Sequence, residues 1–271
     1  MKVYGCQFDI AWEDKAANYQ RVRGLLEKAR PEKGSLVFLP EMFPTGFSMN
    51  AATIAEDPPT GSTPRFLGEY TRELGIYIVG GFAAMGPDRK ARNELAVFGP
   101  DGECIARYAK LYPFAPGGES QHYVAGEAIC RFSWSGATVS PFICYDLRFP
   151  EVFRIAAHGG AEILGVIANW PSAREEHWVT LLRARAIENQ AFVIGVNRCG
   201  NDPKLTYPGR SMIVDPRGTT IADAGKGEGV ISAEIDLAGL REYRAQFPVL
   251  ADLRPKFLGV RAASPLPPGK G

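Results

Sequence analysis

Residues 139–151 have the sequence VSPFICYDLRFPE, in which an apolar run ends at Cys144 and a charged turn follows. The apolar run predicts a buried strand, and the turn leads into a predicted helix. A turn from strand to helix places its central side chain at the carboxyl edge of a sheet, where ligands bind in α/β proteins. A cysteine that only fills a core also follows apolar strands, since cysteine is among the most buried residue types. Three charged residues follow Cys144 within seven positions: Asp146, Arg148 and Glu151. A strand that only fills a core does not carry such charges, so a functional turn is favoured.

Strands and helices alternate on both sides of this segment. In the first half, the patterns predict strands over residues 3–9, 35–39 and 76–82, helices over 14–30 and 62–74, and a hairpin that joins 92–98 to 103–108. In the second half, they predict helices over 150–158 and 174–189 and strands over 129–134, 138–144, 163–168, 191–197, 209–215, 219–223 and 229–235. Each half has strand–helix units followed by hairpins, which predicts one α/β domain with two sheets and outer helices.

The composition is that of a soluble globular protein and argues against a nucleic-acid or membrane protein. The chain has 271 residues, 31 of them Lys or Arg and 30 Asp or Glu, so its formal net charge is +1. A nucleic-acid partner is not expected, because the chain has no excess of basic residues. A membrane partner is not expected either, because the sequence contains no apolar run of about 18 residues. The amino end has no signal-peptide pattern, and the five cysteines are odd in number and far apart. We therefore expect a cytoplasmic protein without a disulfide framework.

Several other functional motifs are absent from the sequence. There is no CxxC or HExxH pair, and the three histidines lie far apart, so a metal site is not expected. Neither a GxSxG elbow nor a Walker lysine motif occurs. The glycine-rich segment 225–229 is followed by a predicted strand, so it predicts a hairpin turn and not a dinucleotide site.

Two charged residues follow predicted strands in positions that suit catalysis. Glu41 follows strand 35–39, and the apolar residues after it argue against full exposure. A buried carboxylate is costly unless it is partnered, and burial strengthens it as a base for a thiol. Lys110 follows strand 103–108, where an ammonium group can stabilise a thiolate or an oxyanion. Taken singly, each is more commonly a surface residue.

Three segments together resemble the nitrilase, or carbon–nitrogen hydrolase, superfamily: FLPE at 38–41, RYAK at 107–110 and ICYDLRFPE at 143–151. The resemblance spans residues 1–260 and is strongest to the omega-amidase branch, through ANWP at 168–171, HW at 177–178, ARAIENQ at 184–190 and NRCG at 197–200. It implies an α-β-β-α sandwich, two β-sheets flanked by helices, that dimerises through its helical layers into a four-layer core. It also implies no cofactor and no metal. The remaining tail, residues 261–271, is expected to be frayed or packed on a partner.

The resemblance also implies roles for individual residues. Cys144 is the expected nucleophile, Glu41 the base, and Lys110 the oxyanion donor together with the backbone N–H of Tyr145. A second glutamate that orients the lysine is expected at Glu119. Its rival is Glu127, whose surroundings resemble the turn before the next strand.

The substrate-binding candidates lie near these positions: Tyr112, Asn169, Trp170, Arg174 and His177. Tyr112 stands where the family often has a histidine. Arg174 and His177 begin the helix predicted over 174–189 and could bind a substrate carboxylate, with a hydroxyl donor from Tyr112. Arg174 could equally be a solvated helix-start residue. His177 could also act as a papain-like base, although a surface or pocket-wall role is commoner for such a histidine.

The resulting prediction is a cysteine-dependent amidase for the terminal amide of a short dicarboxylic acid monoamide, such as 2-oxoglutaramate, acting through a thioester. The alternatives are a nitrilase, a carbamoyl-amine hydrolase or a broad aliphatic amidase, and a non-catalytic binding protein of the same fold. Helix 174–189 is apolar around most of its circumference, which predicts a homodimer.

Overall fold

The computed structural model describes residues 1–258. Its helices are α1 (Lys15–Ala29), α2 (Ala51–Ile54), α3 (Ser62–Leu74), α4 (Pro150–His158), α5 (Glu175–Asn189) and α6 (Leu237–Gln246). Its strands are β1 (Lys2–Gln7), β2 (Leu36–Phe38), β3 (Tyr77–Met85), β4 (Ala91–Phe98), β5 (Cys104–Ala109), β6 (Phe132–Trp134), β7 (Ala137–Ile143), β8 (Ile163–Ala168), β9 (Phe192–Asn197), β10 (Cys199–Asn201), β11 (Thr206–Pro208), β12 (Met212–Val214), β13 (Thr220–Asp223) and β14 (Gly229–Glu234). Short 3-10 turns include Glu119–Gln121 and Cys144–Arg148.

The strands of the described residues form two large sheets and a small ribbon of β10 and β11. The first sheet has the order β14-β1-β2-β3-β4-β5, and the second has the order β13-β12-β9-β8-β7-β6. The central strands are parallel in both: β1, β2 and β3 in the first sheet, and β7, β8 and β9 in the second. Parallel strands end at the same edge of a sheet. The residues that follow β7 and β8 therefore lie side by side at one edge of the second sheet, and those that follow β2 lie at the corresponding edge of the first.

Helices cover the outer face of each sheet. Along β2, Leu36 and Phe38 join the core between the sheets, whereas Val37 packs on the side of α1 and α3. On the other side, Trp178 and Leu182 of α5 are fully buried against the second sheet. The layers therefore follow the order α-β-β-α, and the predicted sandwich of two sheets flanked by helices is confirmed.

Two glycines let the sheets pack closely beside the strand ends. A Cβ atom built on Gly165 would lie 2.3 Å from Cε1 of Phe38, so that aromatic ring fills the space a side chain would need. A Cβ on Gly81 would lie 2.7 Å from Cδ1 of Ile167 and 3.0 Å from Cα of Glu41. Larger residues at these positions would push the sheets apart and displace the segment that carries Glu41.

The predicted helices over 62–74 and 150–158 and the predicted strand over 163–168 are confirmed at both ends, and the other predicted elements differ from the structure mainly at their termini. The sequence patterns do not indicate α2, α6 or the β10–β11 ribbon. In α6, Leu240 is the buried residue, and the helix begins where the Asp236 side chain accepts a hydrogen bond from Gly239 N–H. Such a helix has too narrow an apolar face to give a clear helical period.

The prediction of a hairpin turn at residues 225–229 is wrong. β13 pairs with β12 in the second sheet, whereas β14 pairs with β1 in the first, so the connection crosses from one sheet to the other. Gln7 Nε2 holds the crossing by donating to the carbonyls of Gly225 (2.9 Å) and Gly227 (2.6 Å). Alternating apolar residues identify two strands, but they do not identify the sheet to which each strand belongs.

None of the helices within residues 1–258 has both the length and the apolar composition needed to span a bilayer. The predicted tail, residues 261–271, lies outside the described residues. The assignment of residues 1–260 to a single domain stays a prediction.

Candidate active site

Glu41 lies just beyond β2 and its side chain is fully buried. Its Oε1 accepts hydrogen bonds from Lys110 Nζ at 2.9 Å and from Asn93 Nδ2 at 2.7 Å. Its Oε2 accepts one from the backbone N–H of Asn169 at 2.7 Å, and the Asn169 side chain donates to the Glu41 carbonyl at 2.6 Å. Since Asn169 follows β8, this contact joins the strand ends of the two sheets at the carboxylate.

Lys110 follows β5 and is 1% exposed. Its ammonium lies 2.9 Å from Glu41 Oε1 and 2.8 Å from Glu119 Oε2. Burial alone would lower the pKa of Lys110, but the charges of Glu119 and Glu41 outweigh it and raise that pKa well above its ordinary range. The ammonium is therefore permanently charged at neutral pH. It also lies 5.1 Å from the ring centre of Phe47.

Glu119 begins a 3-10 turn and is fully buried. Besides the ion pair with Lys110, it accepts hydrogen bonds from Asn93 Nδ2 at 2.7 Å and from the Phe114 backbone N–H. Glu127, its rival in the sequence, is exposed. The second carboxylate beside the lysine is thus that of Glu119.

Cys144 opens the 3-10 turn after β7 with a φ of 46°, a left-handed conformation that is rare outside glycine. Its side chain is half-buried, and Sγ lies 4.0 Å from the Asn169 carbonyl oxygen. Burial raises the pKa of the thiol, and the negative charge of Glu41 raises it further, while Lys110 lowers it. The resting group is consequently a thiol and not a thiolate.

Asp146 holds the Cys144 turn in place from within the core. Its Oδ2 accepts hydrogen bonds from Ile143 N–H at 2.9 Å and from the Tyr108 hydroxyl at 2.7 Å, and its Oδ1 accepts one from Tyr112 N–H at 3.0 Å. Burial, only partly offset by these donors, raises the pKa of Asp146 to about 6. The stretch around Tyr108 and Tyr112 and the end of β7 are thereby tied to one carboxylate.

A cleft opens over Cys144. Its lining is mainly aromatic and apolar with two guanidinium groups: Phe47, Phe114, Tyr145, Arg148, Asn169, Trp170, Pro171, Arg174, Leu205 and Tyr207. Arg148 stacks on the Trp170 ring at 4.7 Å and Arg174 on the Phe114 ring at 5.5 Å. Within residues 1–258, neither guanidinium has a carboxylate within 4.0 Å.

The structure places the substrate-binding candidates at different distances from this cleft. Asn169, Trp170 and Arg174 line it, as does Tyr145. Tyr112 does not line the cleft, because its ring stacks on Phe149 with centroids 3.7 Å apart. His177 is exposed and does not line the cleft. Its Nδ1 lies 3.2 Å from Nη2 of Arg148, which does line the cleft.

Sequence reasoning missed Asn93 and the role of Asp146. Asn93 lies within the predicted strand 92–98 and is 1% exposed. A polar residue in a buried strand was a usable signal, since such a group must find partners. Asp146 was noted only as a charge in the turn. Among residues 1–258, no three His, Cys, Asp or Glu side chains are grouped as metal ligands.

Comparison with known proteins identifies the family to which this fold belongs. The family model for "Carbon-nitrogen hydrolase" matches residues 3–245, which is most of the chain. This chain belongs to the carbon–nitrogen hydrolase family. The resemblance inferred from the sequence segments is therefore confirmed, and the protein is an amide-hydrolysing enzyme by family.

Curated relatives and solved structures resemble this carbon–nitrogen hydrolase along nearly its whole length. It is 35% identical to a 2-oxoglutaramate amidase of Bacillus subtilis, over 92% of this chain and 95% of the relative. It is 39% identical to omega-amidase YafV of Yersinia enterocolitica, over 93% of this chain and 96% of the relative. A carbon–nitrogen hydrolase superfamily structure from Xanthomonas campestris matches with a TM-score of 0.86 and 35% identity, over 94% of this chain and 97% of that one.

Proposed function

We propose that this enzyme is an omega-amidase, which releases ammonia from the terminal amide of a short dicarboxylic acid monoamide such as 2-oxoglutaramate. The observation that carries the proposal is the cleft. It places the Cys144 thiol together with two guanidinium groups, those of Arg148 and Arg174, that have no carboxylate partner within residues 1–258. A substrate with an amide at one end and a carboxylate at the other matches both features.

The two guanidinium groups are positioned to attract an anion. Burial lowers the pKa of Arg148, and the like charge of Arg174 lowers it further, so the two cations lie close enough to repel one another. Both stack on aromatic rings, which fixes their planes without neutralising them. A substrate carboxylate would relieve this repulsion and could accept charge-assisted hydrogen bonds.

The buried charges supply the chemistry of the first half-reaction. Glu41 accepts the thiol proton as Cys144 Sγ attacks the amide carbon, and the carbonyl π electrons move onto oxygen. The Lys110 ammonium and the backbone N–H of Tyr145 stabilise this oxyanion, because the first N–H groups of a helical turn have no partner within it. The C–N bond then breaks, and the proton on Glu41 passes to the departing ammonia.

Hydrolysis of the thioester completes the cycle. Glu41, again a carboxylate, takes a proton from water as the water oxygen attacks the thioester carbon. A second oxyanion forms at the same donors, the C–S bond breaks, and the proton returns to Sγ. Glu119 keeps the ammonium of Lys110 in place throughout, since it lies 2.8 Å from Nζ.

The names of the relatives point to the same substrate class. The Bacillus subtilis relative is a 2-oxoglutaramate amidase and the Yersinia enterocolitica relative an omega-amidase, and each matches over more than nine-tenths of this chain. A nitrilase or a broad aliphatic amidase would not need the pair of arginines in the cleft.

The substrate charge is tested by comparing succinamate with 4-methylpentanamide, in which a branched alkyl end replaces the carboxylate at equal length. A charge-assisted contact contributes roughly 1.5–3 kcal/mol, so kcat/KM should favour succinamate by at least about tenfold. Ammonia release at equal rates from both compounds would contradict the proposal. Faster turnover of the matching nitrile would instead favour a nitrilase.

The proposal includes a cytoplasmic homodimer that acts on a small amide and binds neither nucleic acid nor membranes. Apolar side chains are exposed on and near the outer helices, with Ile187 at 53% and Phe247 at 59%. All five cysteines are free, as suits a reducing compartment. Light scattering that gives a monomer of 29.5 kDa at micromolar concentration would contradict the dimer.

A further inference from the structure

Asn93 on β4 lies between the two buried glutamates. Its Nδ2 donates to Glu41 Oε1 and to Glu119 Oε1, each at 2.7 Å, so both hydrogens of the amide are used. Its backbone carbonyl accepts a hydrogen bond from Lys110 N–H at 2.9 Å. One residue therefore contacts all three charged members of the buried cluster.

The orientation of the Asn93 amide has a cost. Its Oδ1 is buried and has no hydrogen-bond partner among residues 1–258. Turning the amide over would point that oxygen at two carboxylates, which is worse than leaving it unpaired. The two glutamates thus select the observed orientation, and the N–H groups face them.

The donors around Glu41 distinguish its two oxygens. Oε1 receives Lys110 Nζ and Asn93 Nδ2, which are both pure donors, so no hydroxyl hydrogen fits between them. Oε2 accepts the Asn169 N–H at 2.7 Å, and its only other hydrogen-bond donor among residues 1–258 is Asn169 Nδ2 at 3.5 Å. Oε2 is the oxygen with room for a proton.

Glu119 is held in the same cluster by three donors. Its Oε1 faces Asn93, and its Oε2 faces both Lys110 Nζ and the Phe114 N–H. Each of these partners only donates. The carboxylate charge that acts most strongly on the Cys144 thiol is that of Glu41, so Glu41 and not Glu119 is the expected acceptor of the thiol proton.

We propose that Asn93 is a positioning residue that keeps both glutamates ionised in the resting enzyme and directs the thiol proton to Oε2 of Glu41. This inference rests on the proposed amide hydrolysis for its role in turnover. In the attack step the Sγ–H bond breaks, the proton goes to Oε2, the Sγ–C bond forms and the carbonyl π pair moves to oxygen. In the next step the C–N bond breaks and the Oε2 proton goes to the departing nitrogen.

The consequence of losing Asn93 follows from the charge count of the cluster. Two buried carboxylates face one ammonium, and like charges in a shared site favour uptake of a proton. The Asn93 amide opposes that uptake by donating to both. Without it, a proton is retained in the cluster at higher pH, and Glu41 is no longer free to accept the one from Cys144.

The test measures the pH dependence of Cys144 alkylation in Asn93→Ala and in the wild type, with iodoacetamide as the probe and peptide mass spectrometry as the readout. The exposed Cys104 in the same chain is the internal reference for intrinsic thiol reactivity. We expect the acidic limb of Cys144 labelling, and of kcat/KM for ammonia release, to move up by about one pH unit in the variant. KM should change little, since Asn93 does not line the cleft.

Asn189→Ala is the matched control, because Asn189 is also a buried amide with an unpaired Oδ1 and lies at the end of α5. It should lower the thermal midpoint without moving the acidic limb. Should Asn93→Ala fail to fold, Asn93→Ser retains one donor and should give a smaller shift. A labelling profile in either folded Asn93 variant that superimposes on the wild type would overturn the proposal. Because labelling needs no omega-amide, that result is distinguishable from an error in the proposed substrate.

Discussion

The Tyr108 hydroxyl donates a 2.7 Å hydrogen bond to Oδ2 of Asp146, and this bond joins β5, which leads to Lys110, to the turn that carries Cys144. Both residues are buried, and the same carboxyl also receives the N–H groups of Ile143 and Tyr112. The segments that carry Lys110 and Cys144 are thus set relative to one another by the buried carboxyl group of Asp146.

Asp146 makes the stability of the fold depend on pH in a predictable direction. Its pKa is about 6 in the folded protein against 3.8 as the ordinary value, so the folded state holds this proton more tightly than the unfolded state. Between pH 4 and 6 the free energy of unfolding therefore falls as pH rises, by about 3 kcal/mol from this group. Asp146→Asn lacks the titration. Urea unfolding should show the wild type's advantage over the variant shrinking from pH 4 to pH 7, and parallel pH profiles would contradict the assignment.

Substitution of Cys144, the proposed nucleophile, separates its role in catalysis from the strain of its backbone conformation. We expect Cys144→Ala to abolish ammonia release while costing only about 1 kcal/mol in stability. Cys144→Gly should be equally inactive but more stable than the alanine variant by up to about 1 kcal/mol, because glycine adopts the positive φ at this position without strain. Turnover at wild-type rates by either variant would remove Cys144 from the mechanism. A glycine variant less stable than the alanine variant would count against strain at the turn.

The second glutamate can be tested against its rival in the sequence. Glu119→Gln removes one of the two carboxylates that hold the Lys110 ammonium, and we expect kcat to fall on the order of 100-fold. The exposed Glu127, changed to Gln, is the control and should retain wild-type kcat. Equal losses in the two variants would show that the effect does not come from the buried ion pair.

The cleft arginines should determine selectivity for acidic substrates. Arg174→Ala should raise KM for succinamate about tenfold and leave kinetics on 4-methylpentanamide nearly unchanged. Arg65 is exposed and contacts the Thr60 carbonyl away from the cleft, so Arg65→Ala is the control for loss of one positive charge. If the two variants behave alike on succinamate, Arg174 does not bind the carboxylate.

Local patterns predicted much of this structure because local interactions set it. The helix over 150–158 has proline in its first turn and glycines after its end, and β8 is a continuous apolar run. Glu41, Lys110 and Cys144 could be singled out because they lie just after strands, and the resemblance to the carbon–nitrogen hydrolase family then supplied their expected roles. Asn93 could not be assigned, since its role depends on carboxylates contributed by two other segments of the chain. The hairpin turn predicted at 225–229 was wrong for a similar reason. The sheet to which a strand belongs is determined by pairing between strands that are distant in sequence.

The pairing of β14 with β1 has a consequence for the order of assembly during translation. Lys2 lies opposite Glu234 in that pair. The first strand to be synthesised, β1, therefore pairs with β14, the last strand of the described chain. Glu41 likewise meets the Asn169 backbone only after the second sheet has begun to form. Nascent chains carry an unpaired edge on β1 for most of synthesis, which exposes them to association with other chains. Truncation before β14 should therefore yield aggregates rather than a smaller working enzyme.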